Sequence, residues 1–173
     1  KYYFLNSWTL LTQFAALLLK IGLDVKLISF FLVFILTTII FFSCYLILEK
    51  FTNDKYLSLI ITTFLIFFQK NLGDTDYPSL IFTIHTYGSY AQALTGLIIA
   101  SLLFNNLKFT ITLSFILLTI HPLVGLWVLV ILILLIVWFK CVKNLNEFLK
   151  IILPGATITL ISLFFFFYLS IEK

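Results

Sequence analysis

Phe109 to Phe139 reads FTITLSFILLTIHPLVGLWVLVILILLIVWF, an uncharged run whose one break is the dipeptide His121-Pro122. As a single helix rising 1.5 Å per residue it would be roughly 46 Å long, against a hydrocarbon core of about 30 Å. A hairpin at His121 and Pro122 resolves the excess, because proline at the first helical position loses no hydrogen bond. One tilted helix kinked at Pro122 is the competing reading. The lysines discriminate between them. With the hairpin, Lys1, Lys50, Lys55, Lys108, Lys140, Lys143 and Lys150 fall on one side, and Lys20, Lys26, Lys70 and Lys173 on the other. Seven against four is a positive-inside bias that puts the first group in the cytoplasm, whereas without the hairpin the split is five against six and the bias vanishes.

Composition sets the solvent. The 173 residues are 62% hydrophobic and 10% charged, with a mean hydropathy of +1.18; soluble domains carry roughly 25% charged residues. The net charge of +4 is spread over segments flanking apolar runs, which suits lipid headgroups. Nucleic acid is excluded, since it calls for a dense basic face. Cys44 and Cys141 have no metal-site spacing and indicate no disulfide. The chain starts at Lys1 without a methionine and lacks the basic start and small-residue cleavage site of a signal peptide, so it reads as an internal fragment of a longer membrane protein.

Outward from the hairpin, the apolar segments are Phe4 to Leu19, Leu27 to Leu48, Tyr56 to Phe68, Ser89 to Phe104 and Ile151 to Ile171, the last kinked at Pro154 and Gly155. Leu27 to Leu48 is the most secure span, at roughly 33 Å of helix. Lys20 to Lys26, Glu49 to Lys55 and Lys140 to Lys150 are charged connectors, with Asn53 and Asp54 suited to capping the following helix. The expected fold is all-α: a polytopic transmembrane helical bundle of about seven helical segments, several short or broken, about four of them full crossings, forming a single domain over residues 1–173.

The main polar island is Gly73 to Gln92, GDTDYPSLIFTIHTYGSYAQ. It follows a helix too short to cross alone. Irregular backbone at that depth is tolerated only when buried in protein or lining a water-filled cavity. Asp74 and Asp76 are hard oxygen ligands that could share a divalent cation, or supply a general base; equally they form a solvated acidic loop with Asp76 opening a turn. His85 and the tyrosines after it suit a sugar or a lipid-linked phosphate, and tyrosines also gather at membrane interfaces for physical reasons alone. His121 can accept a proton or bind an anion, or it can cap the backbone freed by Pro122. The hairpin sets Asp74, Asp76, His85 and His121 on one, extracytoplasmic, side.

Over Tyr56 to Trp138, about half of the chain, GDTDYPSL, HTYGSYAQALTGLIIASLL and HPLVGLW follow one another in a pattern that resembles the middle of the GT-C class of polytopic glycosyltransferases and related bacterial envelope enzymes. The resemblance implies a bacterial inner-membrane enzyme that transfers a sugar from a polyprenyl-phosphate donor at the outer face. It implies that the usual catalytic acid, in the first large extracytoplasmic loop, lies upstream of this chain. It also implies that Asp74, Asp76 and His121 act in catalysis while His85, Tyr87 and Gln92 hold sugar or phosphate. An envelope polysaccharide polymerase or a transporter-like protein is the second class, although transporters more often show two matching halves. A non-catalytic membrane subunit is the third, and it would bury the polar island against a partner.

Overall fold

The computed structural model describes residues 9–67, 87–142 and 144–171. These form seven helices, and no strand occurs among the described residues. They are α1 (Leu10–Lys20), α2 (Val25–Thr52), α3 (Lys55–Phe67), α4 (Tyr87–Leu103), α5 (Leu107–Ile120), α6 (Pro122–Trp138) and α7 (Leu145–Ile171). Among the described residues the expected all-α architecture holds, with seven helices.

The helix ends follow local chemistry. Asn53, in the left-handed conformation at φ 54°, closes α2 through its N–H to the Glu49 carbonyl. Asp54 then opens α3, its Oδ1 accepting from the N–H groups of Tyr56 at 2.8 Å and Leu57 at 3.1 Å. The sequence points to both residues as caps for α3; Asn53 instead terminates α2. The Asn106 side chain caps α5 by accepting from the Phe109 N–H. The connector expected to run to Lys150 ends at Asn144, whose Oδ1 accepts from the Glu147 N–H at 2.8 Å and starts α7 early. α7 then runs through Pro154 without a break.

At the decisive dipeptide the chain turns back. His121 has extended backbone, φ −136° and ψ 88°. Its N–H donates the last bond of α5, to the Leu117 carbonyl at 2.8 Å, and its carbonyl accepts the first bond of α6, from the Gly125 N–H at 2.9 Å. Pro122 needs no partner there. α6 packs back along α5, with Gly125, Leu129, Leu132 and Ile136 buried at helical spacing along its length. A β-carbon at Gly125 would land on the Leu118 backbone, so the two helices touch main chain to main chain.

α5 is the hub, packed against α4, α6 and α7. Its buried face combines Ile111, Leu113, Leu117 and Ile120 with Thr110, Ser114 and Thr119. The hydroxyls are satisfied locally: Thr110 donates to the Asn106 carbonyl and Ser114 to the Thr110 carbonyl. Small polar residues of this kind let helices approach without stranding a donor.

Two helices, α2 and α7, are long and apolar enough to cross a membrane, with mean hydropathies of 2.6 and 2.0 over their most apolar windows. Only 17% and 11% of those windows are buried, whereas the core helix of a soluble protein would be mostly covered. Phe30, Phe34, Phe164 and Leu160 are all more than half exposed. Among the described residues two helices, against the expected four or so, have the length and apolarity of a full crossing. The other five helices are 11 to 17 residues long, α1 bounded by Thr9 and Ile21 and others by turns that include the caps at Asp54, Asn106 and His121.

Candidate functional site

The register of the helices locates the candidate residues. Gly96 meets Ser43, and Lys50 Nζ sits 5.6 Å from the centre of the Phe104 ring, so α4 runs parallel to α2 at a constant offset. That offset sets Tyr87 level with Phe34, and α2 extends about 13 Å beyond the start of α4. The Tyr90 hydroxyl reaches along this overhang and donates to the Leu32 carbonyl at 2.6 Å. α5 is antiparallel to α4, pinned by the Ser101–Thr110 hydroxyl pair at 2.6 Å. Continuing that register at equal rise brings His121 level with Tyr90 and about one turn short of Tyr87.

Tyr87, Tyr90 and the His121 turn therefore share one end of the bundle, recessed below the tip of α2. The opposite end collects Lys50, Lys55, Lys108, Lys140 and Lys150, while Lys20 and Lys26 lie at the tip of the overhang. The lysine separation expected from the hairpin is reproduced for every described lysine.

His121 is half-buried, and its Nδ1 accepts a long hydrogen bond, 3.4 Å, from the Val124 N–H. The capping role weighed from the sequence is thus occupied. A neutral imidazole that accepts at Nδ1 carries its proton on Nε2, so the free nitrogen is a donor. In this state His121 can hold an anionic oxygen, and it cannot take a proton at Nε2.

Tyr87 is 40% exposed and Gln92 is also exposed. Five residues apart on one helix, they point about 140° from each other around its axis and do not converge on one point. Asp74, Asp76 and His85 lie outside the described residues. Among those described, no group of three or more His, Cys, Asp or Glu side chains is arranged to hold a metal ion.

Two features at this depth escape a reading of the sequence. Tyr90 is buried, at 2% exposure, with its hydroxyl committed to α2. Thr37, level with Tyr90 and His121, has a buried Oγ1 with no hydrogen-bond partner among the described residues. Neither carries a motif; only the α2–α4 register reveals them. Two surface hollows stand apart from this end: one of about 390 Å³ on α3 and one of about 360 Å³ where α6 gives way to α7.

No family model, curated protein or solved structure matches this chain.

Proposed function

We propose that this chain is a multi-pass domain of a bacterial inner-membrane protein, and that its recessed end receives the phosphate of a polyprenyl-phosphate-linked sugar at the extracytoplasmic face. The observation that supports this reading is His121. It sits at a turn recessed below the tip of α2, opposite the lysine-rich end, and Nδ1 engagement leaves its Nε2–H as a donor. A phosphate oxygen is a strong acceptor for such a donor. The apolar faces of α2 and α7 would meet lipid, leaving the donor's hydrocarbon tail a lateral approach. In glycosyl transfer His121 would steady the departing phosphate. Asp74 and Asp76 are the carboxylates available for the acceptor's proton, with or without a divalent cation, and His85, Tyr87 and Gln92 the groups available for sugar or phosphate.

Topology is the first test. With Cys44 and Cys141 replaced by alanine, single cysteines at Lys20 and Leu123 should label with an impermeant thiol reagent in intact cells. One at Asn106 should label only after the cells are opened. Labelling of Asn106→Cys and Leu123→Cys from the same side would end the multi-pass reading.

His121→Asn then separates function from folding. Asparagine keeps a side-chain acceptor for the Val124 N–H but cannot present the imidazole donor. Binding of farnesyl phosphate to the purified chain should fall about 10- to 100-fold, the worth of a hydrogen bond to a charged group, with membrane abundance unchanged. A non-catalytic subunit would show no binding by either form.

A further inference from the structure

We propose that the hollow between the end of α6 and the start of α7 seats the headgroup of an anionic phospholipid. The inference rests on the membrane reading above, and uses the end of the molecule opposite His121. The hollow measures about 360 Å³, and its walls are apolar, with Ile136, Val137, Val142 and Phe148 among them. Lys140 and Asn144 are its polar lining residues.

Both polar groups are held in place by the helix ends they belong to. Lys140 adopts the left-handed conformation, φ 48°, that terminates α6: its N–H donates to the Val137 carbonyl at 3.2 Å, and the next N–H, of Cys141, returns to the Ile136 carbonyl at 3.1 Å. The Lys140 backbone is thereby fixed at the rim, while its exposed ammonium forms no ion pair among the described residues. Asn144 spends its Oδ1 on the Glu147 N–H, which leaves its amide NH2 as a donor. The groups these two side chains have left to offer are donors, in a hollow otherwise lined by hydrocarbon.

That combination selects the occupant. A free phosphate would satisfy Lys140 and gain nothing from the apolar walls, whereas a phospholipid offers a phosphate to the donors and an acyl chain to Val137 and Phe148. Charge chooses among phospholipids. With Lys140, the lysines Lys50, Lys55, Lys108 and Lys150 outnumber the acids Glu49, Asp54 and Glu147 at the same end, a net positive balance that disfavours a headgroup carrying its own cation and favours a net anionic one. Trp138, 81% exposed and two residues before Lys140, marks this level as an interface.

Trp138 also provides the probe. In a chain carrying Trp8→Phe and Trp127→Phe, Trp138 is the remaining tryptophan. Reconstituted in phosphatidylcholine vesicles, its quenching by dibrominated phosphatidylglycerol should exceed that by dibrominated phosphatidylcholine, with a relative affinity of about fivefold, the contribution of one lysine near an anionic surface. Lys140→Asn, a residue that tolerates the left-handed conformation, should bring the ratio close to one. Lys50→Asn, at the same end but on the α2–α4 side, should leave it intact. Equal quenching by the two lipids with Lys140 present would overturn the site, as would equal loss in the two variants, which would mean diffuse charge. Displacement of the preference by inorganic phosphate would reassign the hollow to a free anion and overturn it too. Quenching by neither lipid would instead refute the membrane reading on which the proposal rests.

Discussion

The α5–α6 contact and the α1–α7 contact hold their helices together by opposite means. At the first, Gly125 brings two backbones into contact and no side-chain polar group bridges the pair along the buried stripe of α6. At the second, α1 meets α7 over a small area, and one amide does the joining. Gln13 Nε2 donates to the Ser162 carbonyl at 3.0 Å, while Ser162 Oγ donates to Gln13 Oε1 at 3.1 Å. Shape fixes the hairpin and hydrogen bonding fixes the outer helix. The first has no room to adjust, whereas the second can lose a bond and still pack.

Gly125→Ala should have the largest effect. The added methyl would overlap the Leu118 backbone and come within 2.8 Å of the Leu117 carbonyl carbon, and backbone cannot rotate aside. The helices must move apart beside their turn, a cost of about 2–3 kcal/mol by analogy with overpacked cores. Thermal unfolding of the purified chain in detergent should show a clear loss of stability. A neutral result would mean that α5 and α6 are not in main-chain contact, and the comparison would collapse.

Gln13→Leu should cost less, about 1 kcal/mol. It keeps the volume and removes both hydrogen bonds, and interhelical bonds in membrane proteins average roughly 0.6 kcal/mol each. Ser162, 1% exposed, would be left to turn its hydroxyl to its own helix. A double-mutant cycle with Ser162→Ala isolates the pair: the second substitution should add almost nothing once Gln13 is gone. Strict additivity would show that the clamp contributes no stability and that α1 is held by its apolar contacts, Leu10, Leu11, Ala15 and Leu18 among them.

The two contacts also differ in how far the sequence discloses them. The hairpin is legible because an uncharged run exceeds one crossing, His-Pro breaks it, and the lysines sort correctly only if the chain reverses there. Gly125 is visible in the sequence as a small residue just past the break, but nothing there names Leu118 as its partner. Seven residues earlier in the chain, it is adjacent only after the reversal. The Gln13–Ser162 clamp joins residues 149 positions apart, and no local pattern in either segment refers to the other. The same limit governs the candidate site. His121 announces itself through Pro122, and its cap follows from local geometry. Tyr90 and Thr37 gain meaning only from the offset between α2 and α4. Helix length is hard to read for a related reason: apolar composition extends past helix ends, and the caps at Asp54, Asn106 and His121 decide where the neighbouring helices start or stop. Asp74, Asp76 and His85 fall outside the described residues, so their reading still rests on residue type and spacing.

Gly96→Ala sits between the two contacts and should show the smallest effect. A β-carbon there would lie 3.3 Å from Ser43 Cβ and 3.6 Å from its Oγ, tight but against a side chain rather than a backbone. Relief needs a few tenths of an ångström between α4 and α2. Ser43 Oγ resists that shift, since it is anchored to the Ile39 carbonyl at 2.7 Å and bridges to the Ala93 carbonyl at 3.2 Å, and the longer of these bonds would stretch first. Against this stands the helix preference of alanine over glycine, about 0.8–1 kcal/mol in a helix interior. The two effects are of similar size and opposite sign, so the net change should lie within about 0.5 kcal/mol of zero. Adding Ser43→Ala removes the resisting hydroxyl and should let the alanine preference show as a gain over Ser43→Ala alone. A loss for Gly96→Ala as large as that for Gly125→Ala, unrelieved by Ser43→Ala, would place α2–α4 with the rigid hairpin instead of between the two extremes.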